Sequence, residues 1–121
     1  MLKALVVEDE IPLQDLYSRV LENSGYAVAV ADDGQQAIDL LQDHTPPNLM
    51  ILDIRLPILG GYDVLQYLQA YPNKHLIHVV IVTATRDFEA YCDMLPSIEF
   101  LLKPVLPKHL LDVVTRHQSA S

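Results

Sequence analysis

The stretch Leu49-Met50-Ile51-Leu52-Asp53, followed by Ile54-Arg55-Leu56-Pro57-Ile58-Leu59-Gly60-Gly61, sets the reading of the whole chain. Four consecutive apolar residues are too few for a helix, and they alternate with nothing polar. They predict a strand over Leu49–Leu52 buried on both faces, as in a parallel sheet covered by helices. An acid stands where that strand ends. Pro57 and the Gly60-Gly61 pair then mark a loop, and Val64, Tyr67, Leu68 and Tyr71 follow at helical spacing.

The same unit recurs on both sides. Short apolar runs at Ala4 to Val7, Ala27 to Ala31, Val79 to Val82 and Ile98 to Leu102 predict four more strands. Helical spacing separates them: Leu16, Tyr17, Val20 and Leu21; Ala37, Ile38 and Leu41; Leu110, Val113 and Val114. Gly25 closes the first helix, Asp33-Gly34 opens the second and Pro46-Pro47 ends it. Strand and helix alternate five times, which predicts a three-layer α/β sandwich around a five-stranded parallel sheet with right-handed crossovers. With 121 residues and no linker, repeat or low-complexity stretch, residues 1–121 are read as a single domain.

Composition narrows the function classes. Sixteen Asp and Glu against eight Lys and Arg give a formal charge of −8, which repels a phosphate backbone and argues against direct nucleic-acid binding. No apolar run approaches the roughly 20 residues that span a bilayer. The lone Cys92 builds no internal disulfide, and Met1 is not followed by a secretory signal pattern, so the expected setting is cytoplasmic. Cys92 is read as an inert, partly buried thiol. The histidines at 44, 75, 78, 109 and 117 lack metal-ligand spacing and are assigned surface or helix-end positions.

In an open parallel sheet, ligands collect beyond the carboxyl ends of the strands. The first strand ends in Glu8-Asp9-Glu10, the third in Asp53, the fourth in Thr83 and the fifth in Lys103-Pro104. Several carboxylates brought together repel unless a cation or raised pKa values compensate. Mg²⁺ suits oxygen ligands of this kind, with Asp9 and Asp53, and Glu8 beside them, as candidates. Lys103 could neutralise a phosphoryl oxygen, the Thr83 hydroxyl could donate to another, and Asp53 could act as nucleophile to give an aspartyl phosphate. Each residue alone has a plainer reading: helix N-terminal acids, a loop cap, a strand-end Thr, a surface Lys. Their arrival at one rim in one order is what favours chemistry.

Taken together, Leu5-Val6-Val7-Glu8-Asp9-Glu10, Leu52-Asp53-Ile54-Arg55-Leu56-Pro57 with Gly61, Thr83-Ala84 and Lys103-Pro104 resemble the response-regulator receiver domain of two-component signalling, over almost the entire chain. The resemblance implies a flavodoxin-like sheet of order 2-1-3-4-5. It implies Asp53 as phosphoacceptor, an acidic pair Glu8 and Asp9, and Mg²⁺ held by Asp9, Asp53 and the backbone carbonyl of Arg55. It implies Thr83 as the switch hydroxyl, Phe100 as the aromatic switch position, Lys103 as the phosphate-contacting lysine and a Lys103-Pro104 bond that is often cis. It also implies a sensor histidine kinase or phosphotransfer protein as donor, a downstream effector or separate output domain as target, and a phosphorylation-dependent dimer as a candidate assembly.

The chain departs from that pattern between Thr83 and Lys103. Met94-Leu95-Pro96-Ser97-Ile98 stands where a Gly-Ala pair is common, and the interval is about two residues short. Pro96 cannot continue a helix and disfavours helical geometry at Leu95, which predicts an abbreviated fourth helix carrying Arg86-Asp87 near its start and Tyr91-Cys92 along it. Phe100 serves equally well as plain packing. A receiver-like interaction module working without phosphorylation is the competing reading. A phosphohydrolase is disfavoured because Arg55 occupies the place of a general acid, and a flavin site is disfavoured because Glu8-Asp9-Glu10 would repel a ligand phosphate.

Overall fold

The computed structural model describes residues 2–43, 45–56, 58–86 and 89–120. His44, Pro57 and Asp87 lie outside the described residues. The strands are β1 (Leu2–Val7), β2 (Tyr26–Ala31), β3 (Leu49–Asp53), β4 (His78–Thr83) and β5 (Ile98–Leu102). They form one parallel sheet in the order β2-β1-β3-β4-β5. The helices are α1 (Ile11–Asn23), α2 (Gly34–Asp43), α3 (Gly61–Gln69) and α4 (Pro107–Ala120), with a 3₁₀ turn over Lys74–Leu76.

Strand alternation explains the three layers. Leu5, Val7, Met50, Leu52, Val79 and Ile81 join one core with Ala37, Leu41, Val64, Leu65 and Leu68 of α2 and α3. Their neighbours Ala4, Val6, Leu49, Ile51, Val80 and Val82 join a second core with Tyr17 and Leu21 of α1 and Leu110, Val113 and Val114 of α4. Successive side chains point to opposite faces, so a strand buried on both sides must be apolar at every position. All five residues of β3 are buried, and its last is an acid.

Helix ends follow local chemistry. The Asp33 carboxylate accepts from the Gln36 N–H at 2.8 Å and caps α2, while Gly60 precedes α3 and its N–H donates to the Asp63 carboxylate at 2.9 Å. Past α1, Gly25 takes φ 95°, a left-handed turn that glycine adopts without a Cβ penalty. Tyr71 falls two residues beyond the end of α3, yet its ring still lies 6.0 Å from that of Tyr67.

Two expectations are corrected. The strand–helix unit does not repeat five times: among the described residues between β4 and β5 there is no helix, and Tyr91-Cys92 lie in a turn, as the Tyr91 carbonyl accepting from the Met94 N–H at 3.1 Å shows. Within this short interval the chain must bring Tyr91, Met94 and Leu95 onto the α2–α3 core, and Pro96 blocks helical continuation. Cys92 is exposed rather than partly buried, because that turn carries it outward.

Candidate metal and phosphoryl site

Parallel pairing brings the carboxyl ends of β1, β3, β4 and β5 to one rim. Asp53, at the end of β3, is 3% exposed. One of its oxygens accepts from the Arg55 N–H at 3.0 Å, and the other lies 3.1 Å from Lys103 Nζ, just past β5. Glu8, directly after β1, is fully buried. Its Oε2 accepts from the Glu10 N–H at 3.2 Å, while Oε1 has no hydrogen-bond partner. Asp9 is exposed beside it. Carboxylate oxygens of Glu8, Asp9 and Asp53 all lie within 4.8 Å of one another.

Burial pushes the Glu8 carboxyl up to about 8, with Asp53 adding to the shift and the Glu10 N–H and Lys103 opposing it. Three carboxyl groups around one lysine exceed what Lys103 can neutralise, so the corner favours either a proton on Glu8 or a second cation. A buried carboxylate oxygen without a donor, facing two other carboxylates, is a donor set for a hard divalent ion. The residues present therefore fit Mg²⁺.

The loop after Asp53 is held tightly. The Gly61 N–H donates to the Ile54 carbonyl at 3.2 Å, and the Gly34 N–H donates to the Leu59 carbonyl at 3.1 Å. A Cβ on Gly61 would stand 2.7 Å from Ile54 Cα and 3.0 Å from the Asp53 carbonyl oxygen, so no side chain fits without moving the backbone beside Asp53. Ile58, 81% exposed, takes φ 66°, a left-handed conformation uncommon for a β-branched residue. Arg55 itself is exposed.

Strand parity divides the remaining residues. Asp53 follows Leu49 and Ile51 toward the α1–α4 face, and Lys103 follows Leu101 to the same face. Thr83 follows Val79 and Ile81 toward the α2–α3 face, where half-buried Phe100 packs, paired in register with Ile81. The buried Thr83 hydroxyl accepts from the Thr85 N–H at 3.2 Å. The Lys103-Pro104 peptide is cis. Thus Glu8, Asp9, Asp53 and Lys103 meet in one corner, and Thr83 and Phe100 share the other face.

Two residues at the rim escaped the sequence reading. Gln14 on α1 donates to the Glu8 carbonyl at 2.6 Å and to Asp32 at 2.7 Å, fixing the turn that presents Glu8. Nothing in the spacing of a polar helix residue signals this. Tyr17 reads as an ordinary core position, yet its buried hydroxyl has no hydrogen-bond partner. Burial first, then the charges of Glu8, Asp53 and Glu10, hold its pKa above the usual phenol range. An aromatic at a helical core spacing does not reveal where its hydroxyl ends.

Comparison with known proteins gives a consistent answer. Residues 4–115 match the family model described as response regulator receiver domain. The transcriptional regulatory protein CpxR of Escherichia coli is 39% identical over 112 residues, covering 93% of this chain and 45% of that protein. The probable transcriptional regulator ycf27 of Cyanophora paradoxa is 35% identical over 114 residues, covering 89% of this chain and 44% of its own length. The chain thus spans less than half the length of these relatives. Among solved structures, chemotaxis response regulator CheY4 of Vibrio cholerae superposes with a TM-score of 0.85 at 24% identity, covering 97% of this chain and 98% of that one. Response regulator TrrA of Thermotoga maritima, solved in complex with Mg²⁺-BeF, gives 0.80 at 23% identity, covering 97% and 99%. Fold, rim and kinship agree, and the chain belongs to the response regulator receiver domain family.

Proposed function

We propose that this domain accepts a phosphoryl group on Asp53 from the phosphohistidine of a partner kinase or phosphotransfer protein and thereby switches a signalling surface. One observation carries the proposal: a buried carboxylate at a strand end, held by Lys103 at 3.1 Å and crowded by Glu8 and Asp9. A carboxylate oxygen of Asp53 attacks phosphorus as the bond to the donor nitrogen breaks and its electron pair returns to the imidazole. Lys103 neutralises charge on the phosphoryl oxygens, and the Arg55 N–H orients the nucleophile. Mg²⁺, held by Asp9, Asp53, the Arg55 carbonyl and the adjacent Glu8, would supply charge neutralisation. Thr83 directly follows Val82, the register partner of Asp53, and by strand parity shares the face on which Phe100 packs, a placement suited to carrying a shift of Thr83 into repacking of Phe100.

On this reading the domain is a signalling phosphoacceptor that assists its own phosphorylation and dephosphorylation, working in the cytoplasm. Its −8 charge directs any effect on nucleic acid through another domain or partner, in keeping with the names of the relatives. Incubation with Mg²⁺ and acetyl phosphate should add one phosphoryl mass, lost in Asp53→Asn. A mass gain that persists in that variant would refute the assignment.

The absence of a helix among the described residues between β4 and β5 favours a second reading, a receiver-like module whose partner binding ignores phosphorylation. Partner affinity unchanged by beryllofluoride would support it, and a large change would exclude it.

A further inference from the structure

At the end of the sheet opposite the acidic rim, polar side chains from four elements converge. His78 opens β4 and is bracketed by residues at the start of β5. Its Nδ1 shares a hydrogen bond with Ser97 Oγ, and its Nε2 lies 2.9 Å from Glu99 Oε1. The other Glu99 oxygen accepts from the Arg116 guanidinium, which also reaches Asp112 one turn back at 3.4 Å. The His117 ring stacks on that of His78, with centroids 5.4 Å apart and planes inclined by 14°. His117 Nδ1 is 3.0 Å from the hydroxyl of Tyr26, which opens β2 and is buried. Gln118 donates to the Ser24 carbonyl at 2.7 Å. Three consecutive residues near the end of α4 therefore reach β5, then β2 and β4, then the turn between α1 and β2.

We propose that His117, stacked on His78 and bonded to Tyr26, is a pH-operated latch that fastens the last turn of α4 to the base of the sheet while neutral and releases it on protonation. A neutral imidazole offers one acceptor nitrogen, whereas an imidazolium has two donors and no acceptor. The Tyr26 phenol, kept above its ordinary pKa by burial, is a donor throughout the physiological range. Protonating His117 removes the acceptor that it offers to that buried donor and leaves the hydroxyl with the Gln118 side chain as its remaining partner.

The surroundings give the new charge little compensation. From β4 it faces His78, and on its own helix Arg116 is adjacent. From β5 the one carboxylate, Glu99, already serves Arg116 and His78. Asp112 is exposed and paired with Arg116. From β2 the facing group is the neutral phenol. Accordingly burial first, and His78 second, hold His117 below the ordinary imidazole range, with Glu99 opposing them. A depressed folded pKa means that the stabilisation is complete above about 6.5 and is lost as pH falls through the folded value. The latch is independent of the phosphoacceptor reading, since it involves none of the rim residues.

Amide hydrogen exchange on the whole chain tests it, comparing residues 114–118 with β3 at pH 7.5 and 5.5 after correction for intrinsic rates. Protection of the last turn should fall by about tenfold relative to β3, the response expected when pH drops one unit below the released imidazole's pKa of 6.5 while the latched ring stays neutral. The fall should track the titration of the His117 ring followed by NMR in the same sample. His117→Gln, which can accept from Tyr26 but takes up no proton, should keep the protection and lose the pH response. Full protection at pH 5.5, a fall that does not follow the ring titration, or a wild-type pH response in a folded His117→Gln protein would overturn the latch.

Discussion

The two ends of the sheet solve opposite electrostatic problems. At the carboxyl rim, Glu8, Asp9 and Asp53 crowd around Lys103, and a fully buried Glu8 oxygen goes without a donor. At the base, Glu99 is shared by His78 and Arg116, and His117 meets Tyr26, so these polar groups find partners within the chain. Burial raises Glu99, but hydrogen bonds from Arg116 and His78 more than offset it and leave it below the usual carboxylate range. Glu8 is displaced upward instead. One carboxyl group has found its partners within the chain. The other keeps an oxygen without a donor, which a proton on Glu8 or a bound cation would relieve. Unmet polar atoms in a folded protein thus mark where a ligand is needed, whereas satisfied networks mark where the structure closes on itself.

The largest effect should come from removing the cation paired with Asp53. Lys103→Met leaves Asp53 buried against Glu8, and the metal-free protein should lose about 2 kcal/mol. That is below the range for a wholly buried pair because Lys103 is partly exposed. Urea unfolding in chelator measures it, and an unchanged midpoint would mean that the rim is not under charge stress. Gly61→Ala should cost about as much, roughly 1–2 kcal/mol, through the backbone shift that its Cβ demands beside Ile54 and Asp53.

The two ends should also respond to pH in opposite senses. Because the Glu8 pKa is raised from 4.5 to about 8, stability in chelator is full below 4.5 and is lost as pH rises through about 8. Glu8→Gln should therefore stabilise the metal-free protein by about 1–2 kcal/mol at pH 8, do nothing at pH 4, and weaken Mg²⁺ binding seen by calorimetry. Glu99, held low, contributes stability that is present above its unfolded pKa near 4.5 and lost as pH falls through the folded value. Glu99→Gln should cost about 1 kcal/mol at pH 7, with the gap to wild type closing in acid. Parallel pH profiles for the two variants would remove the contrast between the ends.

The smallest effect sharpens the comparison most. Tyr17→Phe deletes a buried hydroxyl that has no partner in the protein. Thermal unfolding should shift by no more than about 0.5 kcal/mol, in the stabilising direction. A loss above 1 kcal/mol would show that the hydroxyl is satisfied in solution.

Much of the rim was legible because strand ends are marked in the sequence by an abrupt change from apolar to charged residues. Leu52-Asp53, Val7-Glu8 and Leu102-Lys103 each announce where a strand ends. The fourth helix was misread because Arg86 through Met94 has ordinary helix-forming residues, whereas the short path to β5 and the packing of Tyr91, Met94 and Leu95 hold the described residues there in turns. The base network was not legible. His78, Glu99, Arg116, His117 and Tyr26 come from four separated segments, and of these the sequence placed only the histidines, at surface or helix-end positions.

By itself, the sequence determined the alternation of buried strands and amphipathic helices, and with it the parallel sheet and the rim on which its acids collect. Periodicity and turn residues are local properties, so they survive in one dimension. Tertiary structure decided which charges meet a partner. Strand order and register set distances between residues far apart in the chain, and in a low-dielectric interior those distances separate a satisfied Glu99 from a Glu8 with one oxygen that still lacks a donor.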